Sequence, residues 1–113
     1  MNFVYLHIMD AQILIKQVND LMKAHFEDFK GTYFFGSRSR KNSTRDSDYD
    51  LLLSFGHRLT WKEKNWVYDL IAEIEMKENI VIDIKAYHES DLKSVWTPFR
   101  EKVLKEGIFY GAA

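Results

Sequence analysis

Apolar residues recur at helical spacing over the first third of the chain. Ala11, Leu14, Ile15, Val18, Leu21, Met22, Phe26 and Phe29 fall on one stripe of a 3.6-residue period. Asp10 is placed to cap that helix and Lys30-Gly31 to stop it. Thr32 to Phe35 is short, β-branched and aromatic, and predicts a strand ending at Gly36. Ser37 to Ser47 is polar without a hydrophobic period, and predicts a loop with at most one helical turn. Asp48 to Phe55 predicts a second strand. Thr60 followed by Glu63 matches a capping box, and Val67, Leu70, Ile71 and Ile74 give the inner face of the helix that follows. From Ile80 to Tyr87 the pattern alternates: Ile80, Ile82, Ile84 and Ala86 face one side, Val81, Asp83, Lys85 and Tyr87 the other. Thr97-Pro98 opens a last helix and Gly107 closes it. The order is helix, strand, strand, helix, strand, helix. It predicts an α/β (α+β) fold, a small mixed β-sheet covered by helices.

Composition narrows the classes. A chain of 113 residues suits one domain spanning positions 1–113. An apolar fraction of 46% and an aromatic fraction of 15% supply a packed core. A net charge of −1 argues against broad electrostatic capture of nucleic acid or a membrane surface. With no cysteine, disulfides, thiolate nucleophiles and Cys-ligated zinc are excluded. His7, His25, His57 and His88 show no paired metal spacing. Met1 to Asp10 lacks the basic and apolar regions of a signal peptide, and no apolar run approaches about 18 residues. The expectation is a soluble cytoplasmic protein without a membrane partner.

Candidate chemistry sits between the first two strands. Ten residues separate Gly36-Ser37 from Asp48-Tyr49-Asp50. Asp48 and Asp50 are two apart on a strand, so their carboxylates project from the same face and repel. A divalent cation removes that repulsion, and magnesium takes hard oxygen ligands from a few carboxylates plus phosphate. Asp83 interrupts an apolar strand, where a charge is costly unless it is paired or metal-bound. If the third strand lies beside the second, the three carboxylates converge on a site able to hold metal ions about 3.5–4 Å apart for in-line phosphoryl transfer. Gly36 lets backbone approach a phosphate, and a turn starting there would aim N–H groups and the Ser37 hydroxyl at it. Arg38, Arg40, Lys41 and Arg45 form a basic cluster able to neutralise a triphosphate. Each piece alone has a plainer reading, namely a solvated turn, an edge-strand acid or a serine N-cap. The combination carries the signal.

The string Phe35-Gly36-Ser37-Arg38-Ser39-Arg40, followed by Asp46-Ser47-Asp48-Tyr49-Asp50-Leu51, resembles the minimal nucleotidyltransferase (MNT) group of the DNA polymerase beta-type nucleotidyltransferase superfamily. The resemblance runs from the first helix to Glu106-Gly107-Ile108-Phe109-Tyr110. It implies the nucleotidyltransferase fold. It implies that Asp48, Asp50 and Asp83 bind two magnesium ions, with Asp83 helping to deprotonate the acceptor hydroxyl. It further implies that Gly36 and Ser37 contact the phosphates of ATP or another NTP, with Arg38 and Arg40 as cationic helpers. The implied reaction moves a nucleoside monophosphate to a hydroxyl and releases pyrophosphate. The implied partner is a helical HEPN-type protein, toward which such proteins act as AMP-transferring antitoxins. The chain departs from the family at Lys41, often glycine, and at Arg45, often proline; Asn42 tolerates a turn better than Lys41 does. A non-catalytic antitoxin or regulatory subunit is the rival reading. Ile108-Phe109-Tyr110 reads either as a partner surface or as the completion of the core.

Overall fold

The computed structural model describes residues 10–36, 48–94 and 97–112. His7, Ser37, Arg38, Arg40, Lys41, Asn42 and Arg45 lie outside the described residues. Helix α1, Ala11–His25, starts where Asp10 accepts a hydrogen bond from the Gln12 N–H at 2.8 Å. It buries Leu14, Ile15, Val18 and Met22. The helical stripe was expected to run on through Phe29, but the backbone turns extended at Phe26 (φ −132°, ψ 105°). Phe29 instead opens β1, Phe29–Phe35, and Lys30-Gly31 lies within that strand rather than ending the helix. Both phenylalanines enter the same core, which is why they kept the helical period. Gly31, at φ +149°, marks a shift in strand register, where the carbonyl of Tyr110 comes too close for any Cβ.

Strand β2, Tyr49–Phe55, leads to α2, Trp61–Glu78. The capping box is formed: Glu63 N–H donates to Thr60 Oγ1 at 3.2 Å, and Thr60 N–H donates to Glu63 Oε1 at 2.9 Å. Asn79 ends the helix in the left-handed region at φ 55°. Strand β3, Ile82–His88, runs into a short helix, α3, Glu89–Ser94. Thr97 caps α4, Pro98–Glu106, and Gly107 stops it. A fourth strand, β4, Ile108–Gly111, follows. Neither α3 nor β4 is expected from the sequence pattern, because each is too short to show a period.

The sheet order is β3-β2-β1-β4. β1 pairs antiparallel with β2 and with β4, and β2 pairs parallel with β3, so the sheet is mixed as expected. One face carries Phe34, Leu51, Leu53, Phe55, Ile82 and Ile84 against the apolar stripes of α1 and α2. The other face carries Phe35 and Leu52 against Leu92 of α3 and Val103 of α4. Asn19 fastens α1 to the sheet: it accepts from Thr32 Oγ1 at 2.7 Å and donates to the Tyr110 carbonyl at 3.1 Å. Ile108 and Phe109 are exposed on the β4 edge while Tyr110 packs against the core, so that stretch divides between the two readings of it. No helix among the described residues is long and apolar enough to cross a membrane.

Candidate active site

The parallel β2–β3 ladder places Asp50 directly opposite Asp83, with Leu52 opposite Lys85 one step further along. Facing residues of paired strands share a sheet face, so Asp50, Asp83 and Lys85 all lie on the α3/α4 side. Asp48 lies just before β2, two residues from Asp50, and is exposed. Burial raises the Asp50 carboxyl above its ordinary value, and Asp83 and then Asp48 add to the rise by charge repulsion. Lys85 pulls the other way, and a hydrogen bond with Asp83 favours the protonated form. The three aspartates singled out by spacing therefore share one electrostatic neighbourhood.

Gly36 forms the opposite wall. β1 pairs Phe35 with Asp50, so the chain leaves the sheet beside that carboxylate. Gly36 has φ +83°, and a Cβ built on it would stand 2.8 Å from Asp50 Cγ. Glycine is needed twice over, for the left-handed backbone and for the approach of the carboxylate. This glycine was expected to face phosphate; its first neighbour is an acid of the same site.

Lys85 is the residue that sequence reasoning left without a role. Its Nζ lies 3.6 Å from Asp83 Oδ1 and 5.5 Å from the centre of the Phe99 ring. The available signal was its position two residues after Asp83 on the same strand face. Phe99 in turn packs edge-on against Phe35, at 5.6 Å between ring centres. An aromatic floor thus lies under the basic side of the site.

Among the described residues, no three carboxylate or imidazole groups gather closely enough to form a ready-made metal cage. The donor chemistry nonetheless fits a hard divalent cation. All three groups are carboxylates, two of them face each other across one ladder step, and their mutual repulsion is what a cation between them would reverse. Magnesium is held by one or two carboxylates plus substrate phosphates rather than by an all-protein cage. Two concavities among the described residues lie elsewhere, about 510 Å³ between α1 and α2 and about 420 Å³ between α1 and β4. The first carries Asp20 and Glu73 on its two walls with Lys77 beside them, and neither has acids paired across a strand ladder next to a glycine turn, so the carboxylate end of the sheet is the better candidate for chemistry.

A mixed sheet with facing aspartates on parallel neighbours, and a glycine turn at the adjacent strand end, defines a nucleotidyltransferase domain. The chain belongs to the polymerase beta nucleotidyltransferase family, whose model matches residues 16–109. The fold is similar to a chain of a toxin–antitoxin crystal structure with AMP-PNP, with a TM-score of 0.62 and 20% identity over 83% of this chain and 68% of that one. It is similar to a chain of an MntA–HpeT toxin–antitoxin mutant, with a TM-score of 0.62 and 18% identity over 91% and 72%. A Sulfolobus solfataricus protein assigned as a nucleotidyltransferase aligns with a TM-score of 0.51 and 19% identity over 97% and 90%. No curated protein matches the sequence.

Proposed function

We propose that this chain transfers a nucleoside monophosphate, AMP from ATP, to a hydroxyl on a HEPN-type helical protein, and so acts as an antitoxin in the cytoplasm. The single observation that carries the reading is the register of Asp50 opposite Asp83, with Gly36 closing on the same carboxylate. The family match supports the reaction class, and the likeness to toxin–antitoxin structures supports the setting.

In the proposed reaction the acceptor oxygen attacks the α-phosphorus of the nucleotide. A P–O bond to the acceptor forms, the bridging bond to the β-phosphate breaks, and pyrophosphate leaves with its electrons. Asp83 receives the acceptor proton. Asp48, Asp50 and Asp83 would hold magnesium, two ions by the family pattern, which would supply positive charge to the phosphates and acidify the acceptor hydroxyl. Gly36 and Ser37 are assigned to the phosphates, with Arg38 and Arg40 as cationic helpers. Lys85 balances the acidic pair from the side of β3.

The test is incubation with labelled ATP, magnesium and the helical partner, followed by intact-mass measurement. Gain of AMP on the partner supports the transferase. Tight binding without a mass change supports the non-catalytic antitoxin.

A further inference from the structure

β3 is an edge strand, with β2 on one side and no strand on the other among the described residues. Its outer side is a groove. One concavity of about 200 Å³ is walled by Lys64 and Tyr68 of α2 and by Lys85 and Tyr87 of β3. A second, of about 190 Å³, continues it toward Arg58, Asp91 and Arg100, and shares Lys64, Ala86 and Tyr87 with the first. The groove begins at Ile84, the residue after Asp83 on the strand, so its near end lies beside the candidate active site.

The walls are cationic and aromatic in a chain whose net charge is −1. Arg58, Lys64, Lys85 and Arg100 line it, with Asp91 as the opposing acid. Arg58 binds Asp91 bidentately, at 2.8 Å and 3.2 Å. Arg100 lies 4.9 Å over the Tyr87 ring and donates to the Asp91 carbonyl at 2.8 Å. Lys64 is exposed on α2, and Tyr68 is 54% exposed. The groove wraps the strand edge: Ile84 and Ala86 belong to the α2 side, and Lys85 and Tyr87 to the other. A strand added to an edge sends alternate side chains to the two faces while its backbone completes the ladder. Here one set would meet Lys64 and Tyr68, the other Lys85, Tyr87 and Arg100.

We propose that the β3 edge is the docking site for an extended acidic segment of the acceptor protein, which adds to the sheet and leads toward the Asp83 end. The proposal takes its purpose from the transferase reading, but the docking itself needs no nucleotide. Charge complementarity selects the acidic peptide, and the strand edge beyond Ile82, whose own N–H is taken by Glu75 Oε2 at 2.9 Å, selects its extended form.

The test uses a fluorescent peptide alternating glutamate with valine, titrated into the full chain without ATP and read by anisotropy. Saturable binding that weakens as salt rises is expected. Lys64→Glu should weaken it about tenfold, whereas Lys62→Glu, on α2 outside the groove, should leave it unchanged. Methylating the backbone nitrogens along one edge of the peptide should abolish binding, and along the other edge should not. Binding that ignores Lys64→Glu, or that survives methylation of either edge, overturns the proposal. So does preferential binding of oligo-dT, which would make the groove a nucleic-acid track. Absence of binding also overturns it, and means that the cations only guard an open edge. Binding of Mg·ATP, measured separately on the same protein, tests the transferase reading, so the two failures are distinguishable.

Discussion

Replacing Asp50 by asparagine should make the free protein more stable while ending its transfer activity. Asp50 and Asp83 face each other on adjacent parallel strands, which run about 4.8 Å apart. Two unit charges at about 5 Å in a water-like dielectric repel by about 1 kcal/mol. Like charges on opposed strand positions are unfavourable by a similar amount, about 0.2–1 kcal/mol. Asparagine removes the repulsion, and its amide donates permanently to Asp83 the hydrogen bond that Asp50 can donate only when protonated. For a domain of this size about 1 kcal/mol corresponds to roughly 4 °C in Tm. The sign with pH follows from the raised Asp50 carboxyl. A carboxyl raised in the folded state penalises the wild type above its folded pKa. That penalty fades as pH falls through the folded value toward the ordinary one. The advantage of Asp50→Asn, followed by thermal unfolding, should therefore be full at neutral pH and vanish in acid. It should also shrink near 1 M salt, where the screening length is about 3 Å. Magnesium should reverse the order, because only the wild type gains a bound ion. A variant that melts several degrees below the wild type at neutral pH, or whose difference ignores pH, would refute the reasoning.

Other changes have equally definite outcomes. Gly36→Ala forces a side chain into φ +83° and against Asp50, so it should cost about 1–3 kcal/mol in denaturant unfolding and weaken magnesium binding. Asn19→Ala leaves the Thr32 hydroxyl and the Tyr110 carbonyl without this partner, and should cost about 1–3 kcal/mol by urea titration. His57 joins Asp28, at 2.6 Å, to Glu63, at 2.9 Å, tying the start of β1 and the end of β2 to the first turn of α2. Hydrogen bonds to Asp28 and then Glu63 raise its pKa, so its stabilisation is full below the ordinary histidine value and is lost as pH rises through the folded one. Unfolding of His57→Gln at pH 5 and pH 9 should show the variant trailing the wild type in acid and converging with it in base. Ser37→Ala should raise KM for ATP about ten- to a hundredfold while leaving magnesium binding intact, as titration of each will show.

The long periodic elements were legible in the sequence because their signals are redundant. In α2 a capping box and an apolar stripe agree, and the helix begins where Thr60 says it should. The acidic pair was legible because a strand period of two fixes which side chains share a face. That Asp50 and Asp83 stand opposite each other was not legible, since register and strand order are set by tertiary pairing. The end of α1 was misread because Phe26 and Phe29 serve the helix stripe and the sheet core alike. The edge strand Ile108–Gly111 was missed because four residues show no period, and its partner lies far away in sequence. The Asp28–His57–Glu63 bridge was missed for the same reason, since its members are brought together only by the fold. The Ser37, Arg38 and Arg40 assignments fall outside the described residues and rest on residue chemistry and the family pattern.

The central claim is that Asp48, Asp50 and Asp83 together drive transfer to a protein hydroxyl. Its most direct test is one time course of partner mass with ATP and magnesium, run for the wild type and for Asp48→Asn, Asp50→Asn and Asp83→Asn. Each variant is first shown to be folded and to bind the partner. The account predicts AMP on the partner with the wild type, and loss of at least about a hundredfold in rate with every variant. Transfer that persists at the wild-type rate in any one of the three would contradict it.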